Sequence, residues 1–290
     1  MSLGDTLGRI KQARSDGAFL HPLLTEGLDS VEEKELGPDM WLGPSRLPEL
    51  CVRAYAIAWR LGLPMIRETD AQSRWNMDTG TAFHTMFQDQ WLGPMGFLKG
   101  GWECPKCLHT VGLEEDNTVS VPSAVHYPEA CANCDHVPEW RSGFRYIEPT
   151  CADSILRVRG FADGILDLPA QPEELFDLKS TGDLKWVREQ PRKNDVIQLN
   201  WYLDMSGMTR GRLVYVCRGA KKFEDAIVEH VVYLDAGLMK QEKEKVHALR
   251  EALQAPKSEP SLPTCPYGGR GTYGPCDCAD LDLAWARHGP

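Results

Sequence analysis

The chain has 290 residues, 42% of them apolar and 26% charged, and a formal net charge of −10. That is a globular composition, long enough for one large domain with insertions or for two small ones. The acidic balance does not advertise a nucleic-acid binder and does not exclude one, because a carboxylate-lined metal site is acidic by construction and basic residues can cluster locally.

No run of eighteen apolar residues occurs, and the N-terminus lacks a basic segment followed by an apolar one, so a cytoplasmic protein without a membrane span or secretory signal is expected. Ten cysteines in such a chain argue for metal ligation over a disulfide framework.

Residues 1–44 are polar and read as a peripheral arm with one short helix around Leu7 to Arg14. From Ser45 a helix is predicted as far as Leu61: Ser45 can cap it, apolar residues recur at three and four, and Gly62 can end it. Cys51 lies near its start and, alone, reads as a small core residue. A second helix is predicted from Asp78 or Thr79 to Trp91, with Phe83, Met86, Phe87 and Trp91 as its apolar stripe. His84 falls at the polar edge of that stripe, where a lone histidine is more often a satisfied surface or core residue than a ligand.

Residues 100–140 break the pattern. Cys104-x-x-Cys107 and Cys131-x-x-Cys134 are two knuckles separated by a polar loop, and together they supply the four thiolates of a structural, tetrahedral zinc site. His109, His126 and His136 are possible substitutes for one of the four. A segment this polar could hardly bury a core without the metal.

Strands follow. Ser154–Arg159 is predicted as one, leading into Gly160-x-x-Asp163, and Glu174–Lys179 as the next, carrying Asp177-x-Lys179. Residues two apart on a strand share a face, so Asp177 and Lys179 would point together. Two carboxylates and an ammonium so placed suit a divalent cation and a phosphate; the bland alternative is a surface ion pair.

Ser180 to Asn194 is a basic connection with Lys185, Trp186, Arg188, Arg192 and Lys193. There Trp186 is open to two readings, stacking on an unpaired base or a chance tryptophan in a solvated loop. A helix from Asp195 to Met205 puts Gln198 and Tyr202 on one face. A hairpin over 212–217 and 226–234, an amphipathic helix over 237–254, a linker over 255–263 and a tail with Cys265, Cys276 and Cys278 complete the chain. Cys151 and Cys217 read as core residues.

Gly80-x-x-x-His84, Gly160-x-x-Asp163, Asp177-x-Lys179 and Gln198-x-x-x-Tyr202, in that order and with cysteines at both ends, resemble the PD-(D/E)xK nuclease superfamily. Within it they are most similar to the RecB-like branch of CRISPR-associated exonucleases and AddAB-type iron-sulfur nucleases. The resemblance covers about residues 45–280, apart from the knuckle segment.

It implies an α/β, restriction-endonuclease-like core: a mixed β-sheet flanked by helices, with an inserted zinc ribbon and a cysteine-rich tail. The implied division is a peripheral arm over 1–44, nuclease-domain helices over 45–99, the zinc ribbon over 100–140, the nuclease core over 141–254 and the linker and tail over 255–290. By residue, His84, Asp163, Asp177 and the Leu178 carbonyl match the ligands of Mg2+ or Mn2+, and Lys179 matches the lysine that orients water and stabilises charge on the phosphate. Gln198 and Tyr202 match the DNA-facing helix.

Cys51, Cys265, Cys276 and Cys278 match a four-iron, four-sulfur site, but the tail spacing departs from the branch's pattern and leaves zinc open as the alternative. The implied activity is metal-dependent exonucleolytic cleavage of single-stranded or end-containing DNA in recombination, repair or DNA processing, with a helicase or recombination partner among the implied partners. A structure-specific endonuclease and a DNA-binding adaptor with a vestigial site are the alternatives.

Overall fold

The computed structural model describes residues 29–114, 119–139, 143–258, 261–265, 270–271, 274–275 and 278–288. The helix expected around Leu7 to Arg14 and Cys276 lie outside the described residues. The strands relevant to the site are β1 (Ser30–Lys34), β2 (Met65–Thr69), β3 (Leu98–Glu103), β4 (Thr110–Val111), β5 (Val125–His126), β6 (Arg145–Ile147), β7 (Thr150–Asp153), β8 (Val158–Phe161), β9 (Gly164–Leu166), β10 (Glu174–Thr181), β11 (Arg210–Cys217) and β12 (Ile227–Tyr233). The helices are α1 (Val52–Leu61), α2 (Ala71–Thr85), α3 (Lys193–Ser206), α4 (Ala236–Gln254) and α5 (Cys278–His288).

The main sheet is eight-stranded and mixed, in the order β12-β11-β10-β9-β3-β4, with β5 and β6 also on β3. Only β10 and β11 pair in parallel within it; their neighbours are antiparallel. The reason is the connection: α3 carries the chain from the end of β10 back to the start of β11, as parallel neighbours require. β10 is buried on both faces through its first five residues, Glu-Leu-Phe-Asp-Leu, whose two polar members are the buried Glu174 and Asp177. On one side Leu175 packs with Leu199 and Leu203 of α3 and with Leu213 and Tyr215 of β11, and beyond it Trp201 and Ile197 of α3 pack with Ala56 of α1 and Val246 and Leu249 of α4. On the other, Phe176, Leu178 and Val214 pack with Phe87, Leu98 and Trp102.

Several expected elements have different bounds. The second helix begins at Ala71, ahead of the expected cap, because Asp70 caps it: its side chain accepts from the Ser73 N–H at 2.6 Å. No residue of α2 is buried, so its first half carries no apolar stripe to betray it. After Thr85 the chain widens into a π-helix over Met86–Leu92, which buries Phe87 and Gln88.

Ser154–Arg159 is not one strand. Asp153 Oδ1 accepts from the N–H groups of Ile155 and Leu156, closing a turn with Arg157 at φ 52°, so the segment is the hairpin of β7 and β8. The knuckle segment does not begin cleanly at residue 100 either. β3 pairs with β9 in the core and with β4, β5 and β6 on the knuckle side.

In the arm, β1 pairs antiparallel with β2. At the other end α5, unforeseen from sequence, packs on α1; Arg53 Nε lies 2.9 Å from Asp282 Oδ1, and the Arg53 and Arg60 guanidiniums donate to the Pro263 and Ser261 carbonyls. No helix among the described residues is long and apolar enough to cross a membrane.

The register that matters is Phe176 opposite Gly164, the last pair of β10 with β9. From Asp177 onward the β9 side of β10 has no strand, and α2 lies along it with Gly80 facing Ser180. Gly164 sits at φ +151°, and a Cβ there would fall 2.4 Å from Leu98 Cδ1 and 2.5 Å from the Tyr146 hydroxyl. Gly164→Ala is therefore expected to cost roughly 2–4 kcal/mol, read as a lower midpoint in equilibrium urea unfolding.

Candidate active site

Asp163 occupies the bend between β8 and β9, one step beyond the Phe176–Gly164 pair and hence across from Asp177. The bend is tightly packed: a Cβ on Gly160 would lie 2.7 Å from Pro44 Cδ and 2.9 Å from Tyr202 Cε1, so the motif glycine lets α3 close on β8. Asp163 is buried; its Oδ2 accepts from the Leu178 N–H, and its Oδ1 lies 3.2 Å from His84 Nδ1. The Leu178 backbone thus enters the site through its N–H.

The structure adds two residues that sequence reasoning missed. Glu148, just after β6, has Oε1 3.8 Å from His84 Nδ1, so His84, Glu148 and Asp163 bring one ligand atom each within 4.8 Å of one another. Gln88, one turn after His84, donates to Glu148 Oε1 at 3.2 Å and to the Asp163 carbonyl at 2.9 Å. Nothing in Tyr146-Ile147-Glu148-Pro149 marks the glutamate, and the π-helix that turns Gln88 inward has no sequence signature of its own.

Asp177 is 1% exposed and pairs with Lys179, whose Nζ lies 3.1 Å from Oδ1 and 2.9 Å from Oδ2. The Oδ2 contact is close but poorly aligned, leaving that oxygen without a directed hydrogen bond. Lys179 Nζ also donates to Gln198 Oε1 at 3.1 Å, and Gln198 Nε2 to the Tyr202 hydroxyl at 3.3 Å. Asp163, Asp177, Lys179, Gln198, Tyr202 and His84 therefore converge across the bare edge of β10.

The charges are strongly coupled. Burial works against the His84 proton, but hydrogen bonds and attraction from Asp163 and Glu148 outweigh it and raise the imidazole to about 10. Burial pushes Asp177 up to about 7 against the pull of Lys179. Lys179 itself is raised, burial being outweighed by Asp177 and Asp163, and burial holds Tyr202 well above the usual phenol range. His84, Glu148 and Asp163, with Asp177 beside them, are placed so that they could hold a cation. The donors, several carboxylate oxygens and one imidazole, fit Mg2+ or Mn2+, with the imidazole favouring Mn2+.

Cys104, Cys107, Cys131 and Cys134 bring their sulfur atoms within 4.8 Å of one another, with Cys104–Cys134 at 3.7 Å and Cys107–Cys131 at 3.5 Å. Thiolates at the corners of a zinc tetrahedron stand about 3.8 Å apart, from the Zn–S bond length. The two knuckles have the same backbone: Leu108 N–H to Cys104 O and Asp135 N–H to Cys131 O, both 2.9 Å, with Leu108 and Asp135 at φ 60° and 53°. His109 and His136 serve here through their carbonyls, which accept from the Cys104 and Cys131 N–H groups.

At the termini Cys51, Cys265 and Cys278 also lie within 4.8 Å of one another, Cys51 and Cys265 being 3.9 Å apart. These three sulfurs are placed so that they could share a metal ion. Cys151 is buried in β7, and Cys217 ends β11.

No family model and no curated protein matches the chain. Among solved structures, an alkaline exonuclease (LHK-Exo) from Laribacter hongkongensis aligns at 10% identity and a TM-score of 0.41, over 74% of this chain and 88% of the other. LHK-Exo in complex with dAMP aligns at 9% identity and a TM-score of 0.41, over 86% and 94%. A phage-related exonuclease from Haemophilus somnus 129PT aligns at 14% identity and a TM-score of 0.28, over 36% and 57%. At such distances the chemistry has to come from the site's own residues.

Proposed function

We propose that this protein is a metal-dependent deoxyribonuclease of the PD-(D/E)xK type that removes nucleotides from single-stranded or end-containing DNA. One observation carries it: His84, Glu148 and Asp163 offer ligand atoms to one point, beside a buried Asp177–Lys179 pair on the bare edge of β10.

A divalent cation bound there would polarise the phosphate and activate water. Lys179 has three N–H bonds, of which Asp177 and Gln198 take two; the third is free to meet a phosphate oxygen and the charge that grows on it. Gln198 is fixed in turn by Tyr202, and Gln88 keeps the Glu148 carboxylate turned toward Asp163. Leu178 contributes backbone at the same point, the carbonyl as a further oxygen ligand. The four knuckle cysteines would hold zinc, and Cys51, Cys265 and Cys278 would ligate an iron-sulfur cluster or a second zinc.

The test is cleavage of end-labelled single-stranded DNA, linear duplex and closed circular DNA by the purified protein with Mg2+ or Mn2+. Loss of linear substrates with circles intact is expected, together with loss of activity in Asp177→Ala. Intact linear DNA, or undiminished cutting by Asp177→Ala, would overturn the proposal.

The raised His84 value gives a second expectation. A base raised from 6.5 to about 10 contributes stability that is complete below its unfolded value and is lost as pH rises toward 10. Asp177, a carboxylate raised from 3.8 to about 7, has already lost its contribution by pH 7. Metal-free protein should therefore melt at progressively lower temperature between pH 7 and 9. Mn2+ binding must expel the His84 proton, so calorimetric titration at pH 7.5 in buffers of different ionisation enthalpy should count about one proton released per ion.

A further inference from the structure

Two kinds of cation lie on the strands that build the site. At the start of β10 the buried Glu174 takes both Arg210 and Arg212, so these two cations are spent on a structural cluster. Arg157 is similarly held by Asp39. At the other end of β10, past Lys179, Lys185, Arg188 and Lys193 are exposed and have no carboxylate partner among the described residues.

Lys185 and Arg188 sit on a loop anchored at both its base and its crown, and Lys193 opens α3 directly after it. Residues 182–192 leave β10 at Thr181 and return to it. The Thr181 hydroxyl donates to the Asp183 carbonyl at 2.9 Å and accepts from Arg192 Nη2 at 3.0 Å, which closes the loop at its base. Leu184 and Val187 are buried, the Val187 N–H donates to the Leu184 carbonyl at 3.0 Å, and the Val187 carbonyl meets His230 Nε2 at 2.6 Å. Between these two anchors, Lys185 and Trp186 form the crown of the turn.

Trp186 is 76% exposed, with the Lys185 ammonium 5.3 Å from its ring centre. The sequence 184–187 thus fixes the backbone firmly and leaves its largest apolar side chain in water. The base of the loop is two residues, about 7 Å of strand, from Lys179.

We propose that Trp186 is a stacking platform for a base of an unpaired DNA strand whose backbone runs on to Lys179, with Arg188 and Lys193 neutralising the adjoining phosphates. An aromatic face bordered by free cations is the chemistry that binds single strands: every base has a face to stack, whereas in a duplex the faces are already stacked on one another. The loop leaves the carboxyl end of β10, beside that of its parallel partner β11. This rests on the nuclease proposal for its direction, but not for its measurement.

The experiment is anisotropy of fluorescein-labelled oligothymidylate and of a blunt duplex of the same length, with the full chain in buffer without added Mg2+ or Mn2+ so that the DNA is bound and not cut. Trp186→Ala should weaken oligothymidylate binding about tenfold and duplex binding less than about twofold, with Trp186→Phe restoring most of the loss. The salt dependence should separate the roles: the log–log slope stays unchanged in Trp186→Ala and flattens by about 0.7 in Arg188→Gln. Oligothymidylate binding unchanged in Trp186→Ala, or an equal loss on duplex, overturns the platform. Cleavage by the parent then decides the nuclease reading separately, since DNA can be cut without this platform and the platform can bind DNA that is never cut.

Discussion

Asp163→Asn is expected to lower the rate of DNA cleavage by about three orders of magnitude while leaving a folded protein. The substitution conserves shape and removes charge from the residue with the most connections in the site. Asp163 accepts at Oδ2 from the Leu178 N–H and at Oδ1 faces His84 Nδ1 at 3.2 Å. An asparagine can satisfy one of these donors with its carbonyl but must turn its NH2 toward the other, a cost of about 1–3 kcal/mol, which a chain of this size should survive.

The larger loss is electrostatic. Of the groups that hold the His84 proton, Asp163 is the stronger, so its removal lowers the imidazole from about 10, and fewer protons should leave when Mn2+ binds. Single-turnover cleavage at saturating Mn2+ gives the rate, and the proton count from calorimetry gives a readout that a merely structural defect would not move. An Asp163→Asn protein that keeps a tenth of the parent's rate would remove Asp163 from the proposed chemistry. Glu148→Gln should fall in the same direction, because Glu148 shares the same point with His84 and Asp163.

What the sequence made legible follows from where each signal is stored. Asp177 and Lys179 are two residues apart on a strand, and the strand's period of two puts them side by side. Gln198 and Tyr202 are four apart on a helix and touch for the same reason. The Cys-x-x-Cys knuckles are self-contained turns, so their pairing could be read from spacing alone.

Glu148 and Gln88 were invisible because their place depends on tertiary register: β6 has to lie on β3, and the helix after Thr85 has to widen. The start of α2 was missed because the helix buries nothing and so lacks the apolar period that marks amphipathic helices. The turn at 154–157 was read as strand because Ile155, Leu156 and Val158 look like one, while the hydrogen bonds from Asp153 that break it are local and polar. Trp186 could be read two ways in sequence, and only the burial of Leu184 and Val187 on either side shows that the turn is built to present it.

Cys131→Ser is expected to lower the melting temperature on the order of 10 °C and to release the zinc proposed for the knuckles, the largest stability effect anticipated for a single substitution in this chain. A structural zinc in a thiolate site contributes roughly 10–16 kcal/mol of apparent binding free energy. Losing one of four ligands forfeits several kcal/mol of it, at roughly 2 °C per kcal/mol for a chain of this length.

The effect should not stay inside the knuckles. Cys104 follows β3 directly, and β3 is both the strand that carries the first knuckle and the strand paired with β9 in the main sheet. Trp102 on β3 is fully buried against Tyr127 and Tyr146, at ring-centre distances of 4.8 Å each, and Tyr146 lies two residues before Glu148. Release of the metal therefore loosens the packing that places Glu148 beside His84, and Mn2+ affinity should fall together with the melting temperature. Zinc analysis, thermal melting and Mn2+ titration on the same preparation check the three expectations. A Cys131→Ser protein that melts like the parent and binds Mn2+ normally would show that the knuckles are an appendage with no part in bracing the site.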